Sequence, residues 1–336
     1  MENKLTPQQR WQTYRAKLPQ FTRWQKIGFG LAVIMVFLIF VLFLLPFLLG
    51  LGGPRTIDAA DLADPNGAFA DLHGESLYYI HQPGKGDPVI LIHGFGESTV
   101  TWQDTVPALA DAGFDVYGLD LIGFGLSEKG LTADMSHPAQ AERIALFMEQ
   151  QGIDKADFVA HAMGANVVMH FAFLYPDRVG SLVLADATLQ TESTTALPSL
   201  VLEVPSFQRW ARVLIRWIVP ATTETQLLSA AEKDEVISED LVNAYDRTLY
   251  TADWDLSLLA MLRDSSQNTL WWDLSTLDIP VLVLWGAEDG WISPETGKSL
   301  AAEIPGASYR EFEGVGHLPM HEAPDEFNNA VIQFLG

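Results

Sequence analysis

Residues 159–167 read VAHAMGANV. An apolar, β-branched run passes through small residues into a helical pattern, and Ala162 stands at the turn. Ala160 and Gly164 flank it, leaving little side-chain bulk around a sharp strand-to-helix corner. Such a corner projects one residue away from the sheet, yet a methyl group has no chemistry to offer. The surrounding sequence repeats the same shape. PVILIHGFG (88–96), FDVYGLDLIGFGLSEKG (114–130), VGSLVLADA (179–187) and IPVLVLWGAEDG (279–290) are short apolar runs that end in Gly, Asp or His. Helical periodicity separates them at 139–151 and 166–175, and a final helix starts near Pro324. Fully apolar strands alternating with helices predict a mostly parallel central sheet covered by helices on both faces, an α/β fold. Sites in such sheets lie beyond the carboxyl ends of the strands. The residues there are His93-Gly94-Phe95-Gly96, Asp120, Ala162, Asp186, Asp289 and His317.

Three segments depart from this alternation. Residues 69–81 predict a hairpin turning at His73-Gly74. Residues 189–275 are helical and irregular, hold five of the ten tryptophans, and predict a helical cap inserted between two sheet strands. Residues 27–51 carry no charge, and at about 1.5 Å per residue they are long enough to cross a bilayer core of roughly 30 Å. That run is longer than a signal-peptide core and lacks its small-residue exit, so an uncleaved anchor is expected. Lys4, Arg10, Arg15, Lys17, Arg23 and Lys26 precede it against Glu2 alone. The positive-inside rule then places residues 1–26 in the cytoplasm and the rest outside it. Trp11, Tyr14, Phe21 and Trp24 suit the headgroup layer. The expected organisation is a basic segment (1–26), an anchor (27–51), a first core part (52–188), a cap (189–275) and a second core part (276–336).

Net charge is −23 for 336 residues, and −28 for residues 52–336 alone. That acidity argues against a nucleic-acid partner, which needs a basic footprint. There is no cysteine, hence no thiol nucleophile and no thiolate metal site. No H-E-x-x-H spacing is present, and the two GFG fragments read as tight turns rather than a nucleotide loop. No metal or cofactor is expected.

The order of motifs resembles the α/β-hydrolase superfamily from about Phe69 to the C-terminus. Its nucleophile elbow, G-x-S-x-G, aligns with Ala160, His161, Ala162, Met163 and Gly164, so alanine occupies the serine position. The resemblance implies an oxyanion hole from the N–H groups of Phe95, in the HGFG loop, and Met163. It implies the triad acid at Asp289 and the histidine at His317, in the chain order this fold uses. Asp186 and Glu288 are rival acids, and His321 is a rival to His317. His161 and the segment DLIGFGLS (120–127) read as structural. His73, His81, His137 and His170 fall outside the pattern.

Ala162 admits three explanations: a serine replaced in this copy, a natural pseudohydrolase that binds a ligand, or chemistry that needs only His317, Asp289 and the oxyanion hole. The complete surroundings favour the first, with serine expected at position 162 and the present chain nearly inactive. The anchor and a tryptophan-bearing helix at 207–218 favour a lipophilic ester as substrate. Membrane-anchored monoacylglycerol lipases share this architecture. A C–C bond hydrolase is the enzymatic alternative. On helix 207–218, Phe207, Trp210, Leu214, Trp217 and Ile218 share one face and Arg209, Arg212 and Arg216 the other. Such a helix suits either a membrane interface or a cap whose arginines pair with nearby acids.

Overall fold

Alternating residues of eight strands point to opposite sides of one sheet and build two separate cores. The computed structural model describes residues 6–17, 22–189 and 202–336. Lys4, Phe21, the Lys17 side chain and residues 190–201 of the expected cap lie outside the described residues. The strands are β1 (Gly67–Leu72), β2 (Glu75–Gln82), β3 (Pro88–Ile92), β4 (Asp115–Leu119), β5 (Ala156–His161), β6 (Val179–Ala185), β7 (Val281–Gly286) and β8 (Ser308–Phe312). Their order is β1-β2-β4-β3-β5-β6-β7-β8. Pairs β1/β2 and β2/β4 are antiparallel, and the others are parallel. Ile90, Phe158, Ala160, Leu184 and Val283 face one core; Leu91, Val159, Val183 and Leu284 face the other. Burial on both sides explains the lack of polar alternation in these strands.

The hairpin turns at His73 and Gly74, both at positive φ. Helix 139–151 begins earlier, at His137, because the Ser136 side chain caps it and Pro138 suits the first turn. The predicted helix 166–175 is Met163–Leu174, so it starts directly at the corner. Between β6 and β7 lie the helices Pro205–Ala230, Glu239–Asp246 and Trp254–Asp264.

The expected span 27–51 appears as a helical segment over Arg23–Leu48, long and apolar enough to cross a membrane, a property shared with signal sequences. Hardly any of it is covered by the rest of the chain, which a core helix would be. It ends three residues early. The Leu45 N–H reaches back five residues to the Phe40 carbonyl, a wide turn that opens the ladder at Pro46. Leu49 is already extended, and glycines follow.

At the corner, Ala162 has φ 45° and ψ −116°, a conformation rare for any residue but glycine. Its N–H donates to the Ala185 carbonyl at 3.0 Å, and its own carbonyl accepts from Thr188 N–H at 3.1 Å. The corner is thus bolted to the end of β6. Gly164 lets the new helix close on β3: a Cβ there would sit 2.5 Å from the carbonyl oxygens of both Ile92 and His93. Gly164→Ala is therefore expected to lower stability by about 1–3 kcal/mol or more. Gly290→Ala, where a Cβ meets nothing within 4 Å, serves as control in thermal unfolding. Equal melting temperatures for the two variants would contradict this packing.

Candidate active site

The loops after β3, β5, β7 and β8 converge on Ala162. Phe95, Ala162, Met163 and His317 line one cavity of about 480 Å³, together with Met261, Trp291 and others. The HGFG loop passes close to the corner, since a Cβ on Gly94 would lie 3.1 Å from that of Ala162. Two other hollows, of about 600 and 430 Å³, lie near Thr56–Thr251 and Asp64–Arg247 and touch none of these residues.

Behind the cavity, His317 Nδ1 lies 2.8 Å from Asp289 Oδ2. An ionised carboxylate only accepts, so Nδ1 is the nitrogen that donates to it, which leaves Nε2 as the acceptor of the neutral ring. The other Asp289 oxygen accepts N–H groups of Trp291 and Ile292 at 2.8 and 3.0 Å. Burial pushes the Asp289 carboxyl up, but the His317 hydrogen bond and charge with these two N–H groups outweigh it and hold it below the usual range.

The rivals take other posts. Glu288 accepts from the Val315 N–H, and His321 is buried against the Tyr245 hydroxyl at 3.0 Å. Asp186 is buried beside Asp289 rather than bonded to His317. One of its oxygens accepts from the Gly286 N–H at 2.9 Å, and the other has no partner. Burial, joined by the Asp289 charge, pushes its carboxyl well up despite that N–H. Donor atoms of Asp186, Asp289 and His317 lie within 4.8 Å of one another, the one such group among the described residues. Two of those three donors already satisfy each other.

Three side chains that the motif reading passed over shape this site. Glu97, buried, accepts from the Gly94 N–H at 2.7 Å and the Thr101 hydroxyl at 2.9 Å, and pairs with His161 Nδ1. His161 Nε2 meets the His317 carbonyl at 2.9 Å. Burial pushes Glu97 up, yet the charge and hydrogen bond of His161 and the Gly94 N–H hold it at about 2. Burial lowers His161, but the Glu97 charge and hydrogen bond prevail and raise it. Glu322 accepts N–H groups on either side of His317, from Gly316 and Leu318, and also those of Glu232 and Lys233. His137, set outside the pattern by its sequence, also lines the cavity. Burial, with the neighbouring His170, lowers it to about 3, so it is neutral. Only the spacing of Glu97 after HGFG could have flagged it; His137 carries no local signal.

A family model described as alpha/beta hydrolase fold matches residues 87–324. An uncharacterized protein of Mycobacterium tuberculosis is 28% identical over 292 residues, 82% of each chain. A 2-hydroxy-6-oxononadienedioate/2-hydroxy-6-oxononatrienedioate hydrolase of Burkholderia vietnamiensis is 27% identical over 277 residues, covering 78% of this chain and 91% of its own. Among solved structures, an esterase of Thermogutta terrifontis superposes with a TM-score of 0.61 at 25% identity, covering 77% of this chain and 93% of its own.

The Glu97–His161 pair has a pH signature. Glu97 is depressed in the folded state, so its stabilisation is complete above its unfolded value of 4.5 and is lost as pH falls towards about 2. His161 is raised, so its share is complete below 6.5 and is lost as pH climbs through its folded value. Glu97→Gln is expected to flatten the acid side of the stability curve between about pH 4.5 and 2. Glu97→Ala, which leaves His161 buried without its partner, is expected to cost about 3–5 kcal/mol. Chemical unfolding across pH measures both, and an unchanged acid slope in Glu97→Gln would remove the pair from this role.

Proposed function

The chain belongs to the alpha/beta hydrolase fold family, and we propose that it carries the site of a serine hydrolase for neutral, lipophilic esters, with Ala162 in the nucleophile's place. The observation that carries this reading is the His317–Asp289 pair, aimed at a cavity that Ala162 also lines. A residue at 162 bearing a hydroxyl would face the unprotonated Nε2. His317 would take the hydroxyl proton as the oxygen attacks the ester carbonyl, and Asp289 would stabilise the imidazolium. The N–H groups of Phe95 and Met163 would hold the oxyanion. His317 would then return the proton to the departing alcohol, and water would release the acyl group by the same route.

The relatives favour a second reading, cleavage of a C–C bond, since the Burkholderia vietnamiensis protein is named for it. Its named substrate is a dicarboxylate. The cavity here offers no lysine or arginine among its described lining residues, and His137 is neutral. An anion buried there would lack a counter-charge. Met135, Met163, Met261, Leu262, Trp291 and Ile292 suit an apolar chain instead. The Arg23–Leu48 segment, read as a membrane span with its basic N-terminal flank in the cytoplasm, would hold this site beside lipids.

The chain as it stands is expected to bind such esters and scarcely turn them over. Removal of the serine in a comparable triad costs on the order of 10⁶ in kcat. Ala162→Ser should therefore raise p-nitrophenyl ester hydrolysis by several orders of magnitude and permit labelling by a fluorophosphonate. Adding Asp289→Asn to that variant should lower kcat by about 10⁴. Rates within tenfold for the alanine and serine forms would sink the assignment. Cleavage of a dienedioate by the serine form, with no ester turnover, would transfer it to the second reading.

A further inference from the structure

The cap helix Pro205–Ala230 carries apolar residues on both sides, with Val213, Leu227 and Ala230 buried. Its arginines face the protein. Arg212 Nε lies 2.6 Å and Arg216 Nη2 2.9 Å from the two oxygens of buried Asp255, and Arg212 also reaches Asp253 at 3.0 Å. Arg209 is spent on the carbonyls of Pro46 and Leu49, both at 3.2 Å. A second apolar stripe faces away: Leu214, Trp217 and Ile218 are 51, 58 and 55% exposed. An amphipathic helix of a soluble domain turns polar residues, not a second apolar stripe, to water.

The same helix grips the end of the apolar N-terminal segment. The Ser206 hydroxyl donates to the Phe43 carbonyl at 3.2 Å, and the Phe207 and Phe43 rings stack at 6.1 Å. Trp217 packs on the chain just beyond it, where a Cβ on Gly52 would lie 2.9 Å from the indole nitrogen. Resting on the reading of Arg23–Leu48 as a span, these contacts fix where the cap helix sits: at the depth where that segment leaves the hydrocarbon. Tryptophan is favoured at that depth. Phe40, Leu44 and Phe47 of the segment are exposed, as are Leu214 and Ile218 of the helix that holds it.

We propose that the outward face of the cap helix, centred on Leu214, Trp217 and Ile218, lies in the surface of the bilayer crossed by the N-terminal segment. The occupant is lipid acyl chain and glycerol region, not an anionic headgroup, because all three arginines are engaged inside and residues 52–336 are strongly acidic. The opposite side of the same helix, through Val219, Thr223 and Leu227, roofs a second cavity of about 190 Å³. That cavity shares Phe95, Glu97 and Trp291 with the one at Ala162. One helix therefore separates the membrane from the cleft, and a lipophilic substrate reaches the cleft without crossing water.

The chain has no cysteine, so single cysteines report cleanly. Leu214→Cys, Ile218→Cys, Val36→Cys and Lys298→Cys, each carrying a nitroxide, are compared in the full chain in phosphatidylcholine vesicles. Collision with oxygen, enriched in lipid, is measured against collision with a water-soluble nickel chelate. Positions 214 and 218 are expected to give an oxygen-to-nickel ratio severalfold above that at 298, unchanged by high salt or added anionic lipid. Nickel access at 214 and 218 equal to that at 298, with 36 in lipid, overturns the proposal and leaves the span intact. Nickel access at 36 as well overturns both. Shielding of 214 and 218 from both reagents, with spin–spin broadening, assigns the face to a second copy of the chain and overturns it equally.

Discussion

The buried pair Glu97–His161 is the joint on which the site's geometry depends. Glu97 holds Gly94, the start of the loop that passes over Ala162. His161 is the last residue of β5 before the corner, and its other nitrogen holds the carbonyl of His317. One ion pair therefore sets the relative positions of three loops that come from strands far apart in sequence. Away from water such a pair is weakly screened, and losing either member leaves a charge with no solvent to stabilise it. Glu322 performs a related task one layer further out, tying both neighbours of His317 to the end of the cap helix.

The corner itself is indifferent to what it displays. Its shape comes from the bonds of Ala162 N–H and carbonyl to the β6 end and from the bare Cα of Gly164. A methyl group consequently sits in a backbone conformation that costs on the order of 1–3 kcal/mol, with the imidazole and carboxylate in place behind it. Asp186 adds to this picture. Burial and the neighbouring Asp289 charge push its carboxyl well up, which disfavours a second negative charge beside Asp289.

The sheet was legible because its strands are buried on both faces and therefore read as unbroken apolar runs. The hairpin was legible because His73-Gly74 demands positive φ. Ala162, Asp289 and His317 could be ordered along the chain because the loops that end parallel strands face one side. Glu97, Glu322 and His137 were hard to read: Glu97 and Glu322 join local N–H groups to partners 64 and 90 residues away, His137 acts through a cavity assembled partly from the cap, and none leaves a periodic trace. The cap helix was half legible. Its two faces were evident from 100° spacing, but which one turns inward depends on Asp255, from a different helix.

The grip of the cap helix on Phe43, Pro46 and Leu49 has a mechanical consequence. A spanning helix tilts to match the thickness of its bilayer. Ser206, Phe207 and Arg209 couple the N-terminal segment to the first turns of a 26-residue helix that carries Pro220 in its interior. In a spanning segment, a change of tilt would load the helix that roofs the cleft at Val219 and Leu227.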